Sequence, residues 1–263
     1  MFFKGILLLS MLLWLNTVFA SNNPCMDAPQ ILNVVDRPSH TDSACSMPTN
    51  KMMIESGYQY QKLGPGGGWL YNFPNSQIRF GLEKNSEIFL YVPSYNHESY
   101  FPFSGFNGSL LGVKHQFITN SKVVFTGETV VVLPDGSAAF GAQQTGIVAN
   151  AILTYIYNDL FDLTLMLGAY DVSLPRYYDG IRFSSVNGNL MLSYALNGKT
   201  DMFAELYGQT HVGPMLGGGV SMDIGVMYEA RSNIAIDLAV GQNLNGYIGS
   251  VERYITSGIS FMF

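Results

Sequence analysis

The sequence predicts an all-β protein: a transmembrane, antiparallel, up-and-down β-barrel of about twelve strands that follows a cleaved signal peptide. Three observations support this fold class. Residues 51–263 consist of segments in which apolar and polar residues alternate, which is the period of a β-strand. The connections between these segments alternate between short turns and long loops, as they do in membrane barrels. Only 12% of the residues are charged, whereas about 25% is usual.

Residues 1–20 have the features of a secretory signal peptide. Lys4 supplies the positive charge, residues 6–15 form an apolar core with one serine, and residues 18–20 form a small-residue cleavage site. The apolar run is shorter than the ~20 residues that a membrane-spanning helix needs, which makes a retained anchor the weaker alternative. We therefore expect an exported mature chain that begins at Ser21.

Residues 21–50 are predicted to form an irregular periplasmic arm without a core of its own, because they contain four prolines among many Asn, Ser and Asp residues. The arm holds both cysteines of the chain, Cys25 and Cys45. In an oxidising compartment a disulfide between them would close a loop of about 20 residues, worth about 3 kcal/mol in the chain-entropy model. Two unrelated thiols are the alternative. We expect the disulfide, because the segment is too short and too polar to hold itself together otherwise.

Residues 51–263 are predicted to form the barrel. Tight turns connect the strands at one end, and Asn197-Gly198 is the clearest of them because both residues tolerate positive φ. An even number of strands brings both ends of the barrel segment to the short-turn side, which faces the periplasm in such barrels. The twelve candidate strands lie at 51–62, 69–82, 86–94, 108–118, 122–134, 145–157, 161–171, 184–196, 201–210, 216–229, 233–242 and 252–263.

The last strand carries a further signal. Residues 253–263 alternate and end on an aromatic residue, Phe263. Such an ending resembles the C-terminal signal of bacterial outer-membrane barrels. An edge strand of a soluble sandwich is the alternative for this segment alone. The resemblance implies that the chain resides in the outer membrane of a Gram-negative bacterium, contacts its lipid, and is recognised by the barrel-assembly machinery through this strand.

The polar parity of the strands predicts which side chains face the lumen. A Lys or Arg that faces lipid at mid-depth costs roughly 2–4 kcal/mol, and an acidic residue somewhat less, so the charges in these strands are expected to point inward. The charged lumen candidates are Glu55, Arg79, Glu87, Lys114, Glu128, Glu205, Asp223, Glu229 and Asp237. The aromatic candidates are Tyr58, Phe89, Tyr91, Phe203 and Tyr207, although Tyr58 could also face lipid.

Two interpretations of this lumen stay open. In the first, Arg79 and Lys114 pair with neighbouring carboxylates and fill a narrow barrel. In the second, the carboxylates and the aromatic residues, Tyr91 and Tyr207 among them, line a path for a solute. A barrel of twelve strands is wider than the eight-stranded barrels that side chains fill and narrower than an open porin of sixteen strands. The two interpretations are compatible with each other.

Other chemistry is sparse. The chain has 13 Lys and Arg against 19 Asp and Glu, without the basic stripe of a nucleic-acid-binding protein. The four His residues have no metal-ligand spacing, and we predict neither a metal nor another cofactor. His115 lies in a strand, but its parity directs it towards lipid. The run His97-Glu98-Ser99 is predicted to be a solvated loop rather than a catalytic triad, so we expect no enzyme.

Five segments together resemble one family. They are 77–91 (QIRFGLEKNSEIFLY), 109–117 (SLLGVKHQF), 123–134 (VVFTGETVVVLP), 201–207 (DMFAELY) and 234–246 (IAIDLAVGQNLNG). In this order they resemble the outer-membrane transporters named after the meta-pathway of phenol degradation. The resemblance covers most of residues 51–263 and implies a barrel that moves small hydrophobic or aromatic compounds. It also implies that Arg79, Glu87, Glu205 and Asp237 are the lumen charges that matter most.

The sequence thus predicts a passive channel for small, hydrophobic or aromatic molecules. The aromatic loop at 95–106 would gather the solute and the polar lumen would conduct it. A closed barrel that binds a ligand or partner through its surface loops is the alternative, and an outer-membrane enzyme comes third.

Overall fold

The computed structural model describes residues 23–27, 30–64, 66–99, 104–214 and 216–263. The predicted signal peptide lies outside the described residues. Within these ranges, no helix has both the length and the apolar character that crossing a membrane requires.

The described residues of the barrel segment form fourteen strands in one antiparallel sheet. The strands are β1 (Met52–Leu63), β2 (Trp69–Leu82), β3 (Ser86–Val92), β4 (Tyr95–Glu98), β5 (Ser104–Phe106), β6 (Leu110–Thr119), β7 (Val123–Val132), β8 (Gly146–Ile156), β9 (Phe161–Ser173), β10 (Arg182–Asn197), β11 (Thr200–Gln209), β12 (Gly219–Arg231), β13 (Ile234–Asn245) and β14 (Val251–Met262).

Twelve of these strands close into a barrel. Each pairs with its neighbour along the sequence, and β1 pairs with both β2 and β14, so that no edge strand is left in the wall. The predicted barrel of twelve antiparallel strands is therefore confirmed. The two further strands, β4 and β5, belong to the segment 95–107, for which a long loop was predicted. They extend the wall at the long-loop end, where β4 pairs with the first half of β2.

The outer and inner faces of the wall differ as the parity analysis predicts. Large apolar side chains on the outside are exposed, among them Leu206 (48%), Ile224 (51%) and Leu238 (46%). A continuous exposed apolar surface of this kind is expected of a barrel embedded in lipid. Near the long-loop end, the rings of Trp69 and Tyr71 lie 4.4 Å apart on this outer face. Aromatic side chains of this type occur at the membrane interfaces of such barrels.

The arm occupies the lumen, in contrast to the prediction that it extends into the periplasm. Its described residues include a short 3-10 turn at Pro24–Met26 and a helix, α1 (Gln30–Val34), and a disulfide joins Cys25 to Cys45. Ile31, Val34 and Cys25 are almost completely buried. The physical reason is that the arm supplies apolar surface and hydrogen-bond donors to an inner wall that would otherwise leave charges unpaired.

Candidate functional site: the lumen and its arm

The arm contacts the wall in three layers, and the layer nearest the short turns is apolar. Ile31, Val34 and Met47 of the arm pack in one cluster with wall residues that include Met53, at the start of β1, and Met262, at the end of β14. Burial of such side chains stabilises the packed state by about 1.5–3 kcal/mol each. This layer holds the arm to the wall near the short-turn end of the barrel.

The second layer of contacts is a network of charges, and Arg79 on β2 is its centre. Its side chain is fully buried. The guanidinium lies 3.1 Å from Asp36 of the arm, 3.1 Å from Glu55 on β1 and 3.0 Å from Glu87 on β3. It also donates to the carbonyl oxygen of Val34. Arg79 therefore ties the arm to two strands of the wall.

Lys114 on β6 is the second buried cation of this layer. Its ammonium group lies 3.1 Å from Asp36, 3.8 Å from Glu87 and 3.8 Å from Glu128. It also donates to the carbonyl oxygen of Ser43 in the arm at 3.2 Å. Asp36 thus bridges both cations, and each cation contacts the arm as well as the wall.

The wall carboxylates of this layer also bind the backbone of the arm. Glu55 accepts hydrogen bonds from the N–H groups of Asp36 and Arg37, the latter at 3.0 Å. Glu87 accepts one from the N–H of Met47 at 2.5 Å. Charge-assisted hydrogen bonds are roughly twice as strong as neutral ones. The arm conformation and the positions of the lumen charges therefore depend on each other.

A third layer of contacts joins the arm to β11, β13 and β14. Arg37 of the arm reaches Asp237 on β13 at 3.3 Å and donates to Thr256 on β14 at 3.0 Å. Glu205 on β11 accepts the N–H of His40 at 2.8 Å and the hydroxyl of Thr41. Together with the contacts of Arg79, Glu87 and Lys114 on β2, β3 and β6, these contacts hold the arm on opposite sides of the barrel.

Above the arm, the lumen widens into a cavity of about 370 Å³, which we call the vestibule. Ser39, His40 and Asp42 of the arm form its floor. Its wall is lined by Tyr91, Val148, Asn150, Met166, Tyr170, Asn187, Asn189, Tyr207, Gly208, Gln209 and Ile248. A smaller cavity of about 140 Å³ lies on the other side of the same arm residues. The vestibule is thus bounded by the arm and by the long-loop half of the barrel.

The structure places the predicted lumen residues as follows. Arg79, Glu87, Lys114, Glu128, Glu205, Asp223, Asp237 and Tyr207 are buried on the inner face together with Glu55, Phe89 and Phe203, and Tyr91 lines the vestibule. Asp223 accepts a hydrogen bond from Tyr254 instead of from the arm. Glu229 is only half-buried next to a short turn. The role of these residues in passage of a solute stays a prediction.

Tyr58 lies on the outer face, so its placement among the lumen aromatics was wrong. It follows Glu55 by three positions, which puts it on the opposite face of β1, and it is 40% exposed. His115 points outward, as predicted, where it bonds Ser86 and packs edge-to-face against Phe117. Tyr58 and His115 therefore contribute to the outer surface and not to the lumen.

Sequence reasoning missed the arm residues that complete the site, which are Asp36, Arg37, His40 and Thr41. One signal pointed to them. Seven of the nine charged residues predicted for the lumen are acidic, and a buried carboxylate needs donors. Arg37 and the backbone N–H groups of the arm supply such donors. In the described part of the chain, no three His, Cys, Asp or Glu side chains group so that they could hold a metal ion.

Comparisons with known proteins place this geometry in a structural class. No family model matches this chain, and no curated protein matches it. The fold is similar to that of the COG4313 outer membrane channel from Pseudomonas putida F1, with a TM-score of 0.68 and 11% identity over 86% of this chain and 100% of that one.

Two porins have the same fold at a greater structural distance. The KdgM porin matches with a TM-score of 0.56 and 11% identity over 80% of this chain and 99% of that one. The NanC porin matches with a TM-score of 0.53 and 10% identity over 80% and 98%. The chain therefore has the fold of outer-membrane channel barrels.

Proposed function

We propose that this protein is an outer-membrane channel for the passive passage of small molecules, and that its N-terminal arm is the element that closes it. One observation carries the proposal. The arm binds the inner wall through all three layers, and Arg79, the most connected wall residue, joins it to two strands at once. A solute that crosses the barrel has to pass this arm, so passage requires the arm to move.

The outer surface and the similarity in fold support the location. An exposed apolar belt requires lipid around the barrel, and the similar structures are an outer membrane channel and two porins. The proposal therefore includes contact with outer-membrane lipid. It also includes insertion by the barrel-assembly machinery through β14 and the residue that follows it, Phe263.

The class of solute is a separate question. The resemblance of the sequence implies hydrophobic or aromatic compounds, and this stays a prediction. The vestibule, through which a solute would enter, is lined mainly by amides, hydroxyls and tyrosine rings.

Liposome swelling with the purified full chain tests the channel. We expect slow entry of a small neutral solute such as glycerol, and faster entry for Glu205→Ala, because this substitution removes the acceptor of two arm hydrogen bonds. Leu206→Ala is the matched control, since Leu206 is the next residue and faces outward.

The alternative function is a closed barrel that binds a ligand through its surface loops. The extent to which the arm fills the lumen favours it. It predicts that Glu205→Ala changes stability while glycerol entry stays at the level of empty liposomes. Absence of entry in both proteins would therefore reject the channel.

A further inference from the structure

Two cations lie side by side on the outer face of the wall, at the end of the barrel that carries the long loops. Lys62, near the end of β1, and Arg253, near the start of β14, are register partners in the antiparallel pair. Lys62 has the parity of Tyr58 in β1, and Arg253 has that of Ile255 in β14, and both Tyr58 and Ile255 are exposed on the outer face. The two charges therefore point out of the barrel.

The pair lies at the depth of a membrane interface. Arg253 is ten positions before Phe263, which ends the chain at the short-turn side of the wall. A tilted strand crosses the apolar layer of a membrane with ~9–11 residues. Short turns face the periplasm in barrels of this kind. In the proposed outer-membrane location, the pair is thus at the level of the headgroups of the outer leaflet.

Aromatic rings border the pair on the other side. Trp69 on β2 is the second register partner of Lys62. Its ring lies 4.4 Å from the ring of Tyr71 and 5.4 Å from that of His97. Trp and Tyr rings are enriched at headgroup depth, because one end of each ring is apolar and the other polar. The row Arg253, Lys62, Trp69 therefore crosses three adjacent strands, β14, β1 and β2, at this depth.

The protein does not neutralise the two cations itself. Within the described ranges of the chain, neither Lys62 nor Arg253 forms an ion pair with a carboxylate. Glu252 is next to Arg253 in the chain but has the opposite parity. Like charges directly opposite each other in an antiparallel pair are destabilising. An anion bound between the two side chains would remove this repulsion.

The surroundings of the pair restrict the anion. A guanidinium group binds a phosphate through two parallel hydrogen bonds, and an ammonium group adds a compact charge. Towards the membrane, the exposed side chain of Ile255 continues the apolar belt, against which acyl chains can pack. A soluble anion would use the charges alone. A lipid with a phosphate headgroup uses both the charges and the apolar surface.

We propose that Lys62 and Arg253 form a binding site for the phosphate headgroup of an anionic lipid of the outer leaflet, with Trp69 at its border. The inference goes beyond the channel function. It rests on the location in the outer membrane and holds whether or not the barrel conducts a solute.

The fluorescence of Trp69 measures which lipid occupies this site. The other tryptophan of the chain, Trp14, lies in the predicted signal peptide. The exported chain is placed in vesicles of phosphatidylcholine with brominated acyl chains, which quench an indole ring that they contact. Unbrominated phosphatidic acid, which carries a phosphomonoester, is then compared with unbrominated phosphatidylcholine of the same acyl chains. We expect phosphatidic acid to restore the fluorescence at a concentration at least fivefold lower, because one Lys or Arg at a membrane surface contributes about fivefold to binding of anionic lipid.

Substitutions that remove the charges locate the site. The double variant Lys62→Gln, Arg253→Gln is expected to lose the preference for phosphatidic acid, and each single variant to lose part of it. Lys62→Arg keeps the charge and should keep the preference. Lys199→Gln is the matched control, because Lys199 is an exposed cation in a short turn at the opposite end of the barrel. The barrel band in unboiled samples reports folding, and the single variants serve if the double variant does not fold.

The outcomes are distinct. Equal recovery of fluorescence with the two lipids would overturn the proposal, as would a preference that the charge-removing variants retain in full. Inorganic phosphate in place of chloride at equal ionic strength should leave the preference unchanged; its loss would show that the site takes a soluble anion and would overturn the lipid site. Glycerol entry without a lipid preference would reject the lipid site and leave the channel. A lipid preference without glycerol entry would reject the channel and leave the lipid site.

Discussion

Substitution of Arg79 by methionine should release the arm from the lumen. The side chain of Arg79 is fully buried and pairs with Asp36, Glu55 and Glu87 at 3.0–3.1 Å. Without it, these three carboxylates stay buried with Lys114 as the remaining cation of the layer. Removal of one partner from a buried ion pair costs about 3–5 kcal/mol.

This cost destabilises mainly the state in which the arm is docked in the lumen. When the arm leaves, water can enter the lumen and solvate Glu55 and Glu87, so the undocked state does not bear the same penalty. About 1.4 kcal/mol corresponds to a tenfold change in an equilibrium constant. The equilibrium constant for docking of the arm should therefore fall by about a hundredfold or more.

Limited proteolysis with thermolysin measures this shift in the folded barrel. The arm contains apolar cleavage sites at Ile31, Leu32 and Val34, all of which are buried when it is docked. The products are separated after reduction, because the disulfide would otherwise hold the fragments together. We expect cleavage of the arm to be at least tenfold faster in Arg79→Met, while the barrel band in unboiled samples stays intact.

The matched control is Arg182→Met. Arg182 pairs with Asp171 at the long-loop end, where both side chains are exposed (41% and 38%). Surface pairs contribute little to stability, so the cleavage rate should equal that of the wild type. Equal rates for Arg79→Met and the wild type, with both barrels folded, would refute the reasoning about the charge network.

Three further predictions concern the arm and the wall. Replacement of Cys25 and Cys45 by serine should destabilise the docked arm by up to about 3 kcal/mol, the value for closure of a loop of this length. Thermolysin should then cleave the arm faster than in the wild type when proteolysis is run without a reductant and the products of both proteins are separated after reduction. An unchanged rate would show that the wall contacts alone hold the arm. Leu238→Arg places a charge on the lipid-facing side of β13. Urea titration in lipid vesicles should show that the free energy of unfolding falls by roughly 2–4 kcal/mol. An unchanged free energy of unfolding would contradict the outward orientation of Leu238. Asp237→Asn removes the ionic partner of Arg37. It should increase the rate of glycerol entry less than Glu205→Ala does, because it weakens one contact of the arm and keeps a hydrogen-bond acceptor. A larger increase would show that the contact between Arg37 and Asp237 controls the position of the arm.

The wall of this barrel could be predicted from the sequence because each strand obeys a local rule. In β12, for example, Met222 and Ile224 alternate with Asp223, and the cost of a charge in lipid decides which face is inward. The same rule directs Arg79 and Glu205 inward, and both residues are buried. It also places Tyr58 outside, and the error at that residue came from grouping it with Glu55 despite its opposite parity.

The arm could not be placed from the sequence, because its position depends on contacts between residues far apart in the chain. Asp36 and Arg37 lie in a polar, proline-rich segment without periodicity, and such a composition predicts a solvated loop. Their partners Arg79 and Asp237 are 43 and 200 residues away. The excess of acidic side chains in the predicted lumen indicated missing donors, but not which segment supplies them.

The central claim is that the arm closes the lumen, and single-channel recording of a variant that lacks residues 23–46 tests it most directly. The wild type in the same planar bilayer is the reference. The account predicts a low conductance for the full chain and a steady conductance at least several-fold larger for the truncated barrel. Equal conductance in the two proteins, with the truncated barrel shown to be folded, would contradict it.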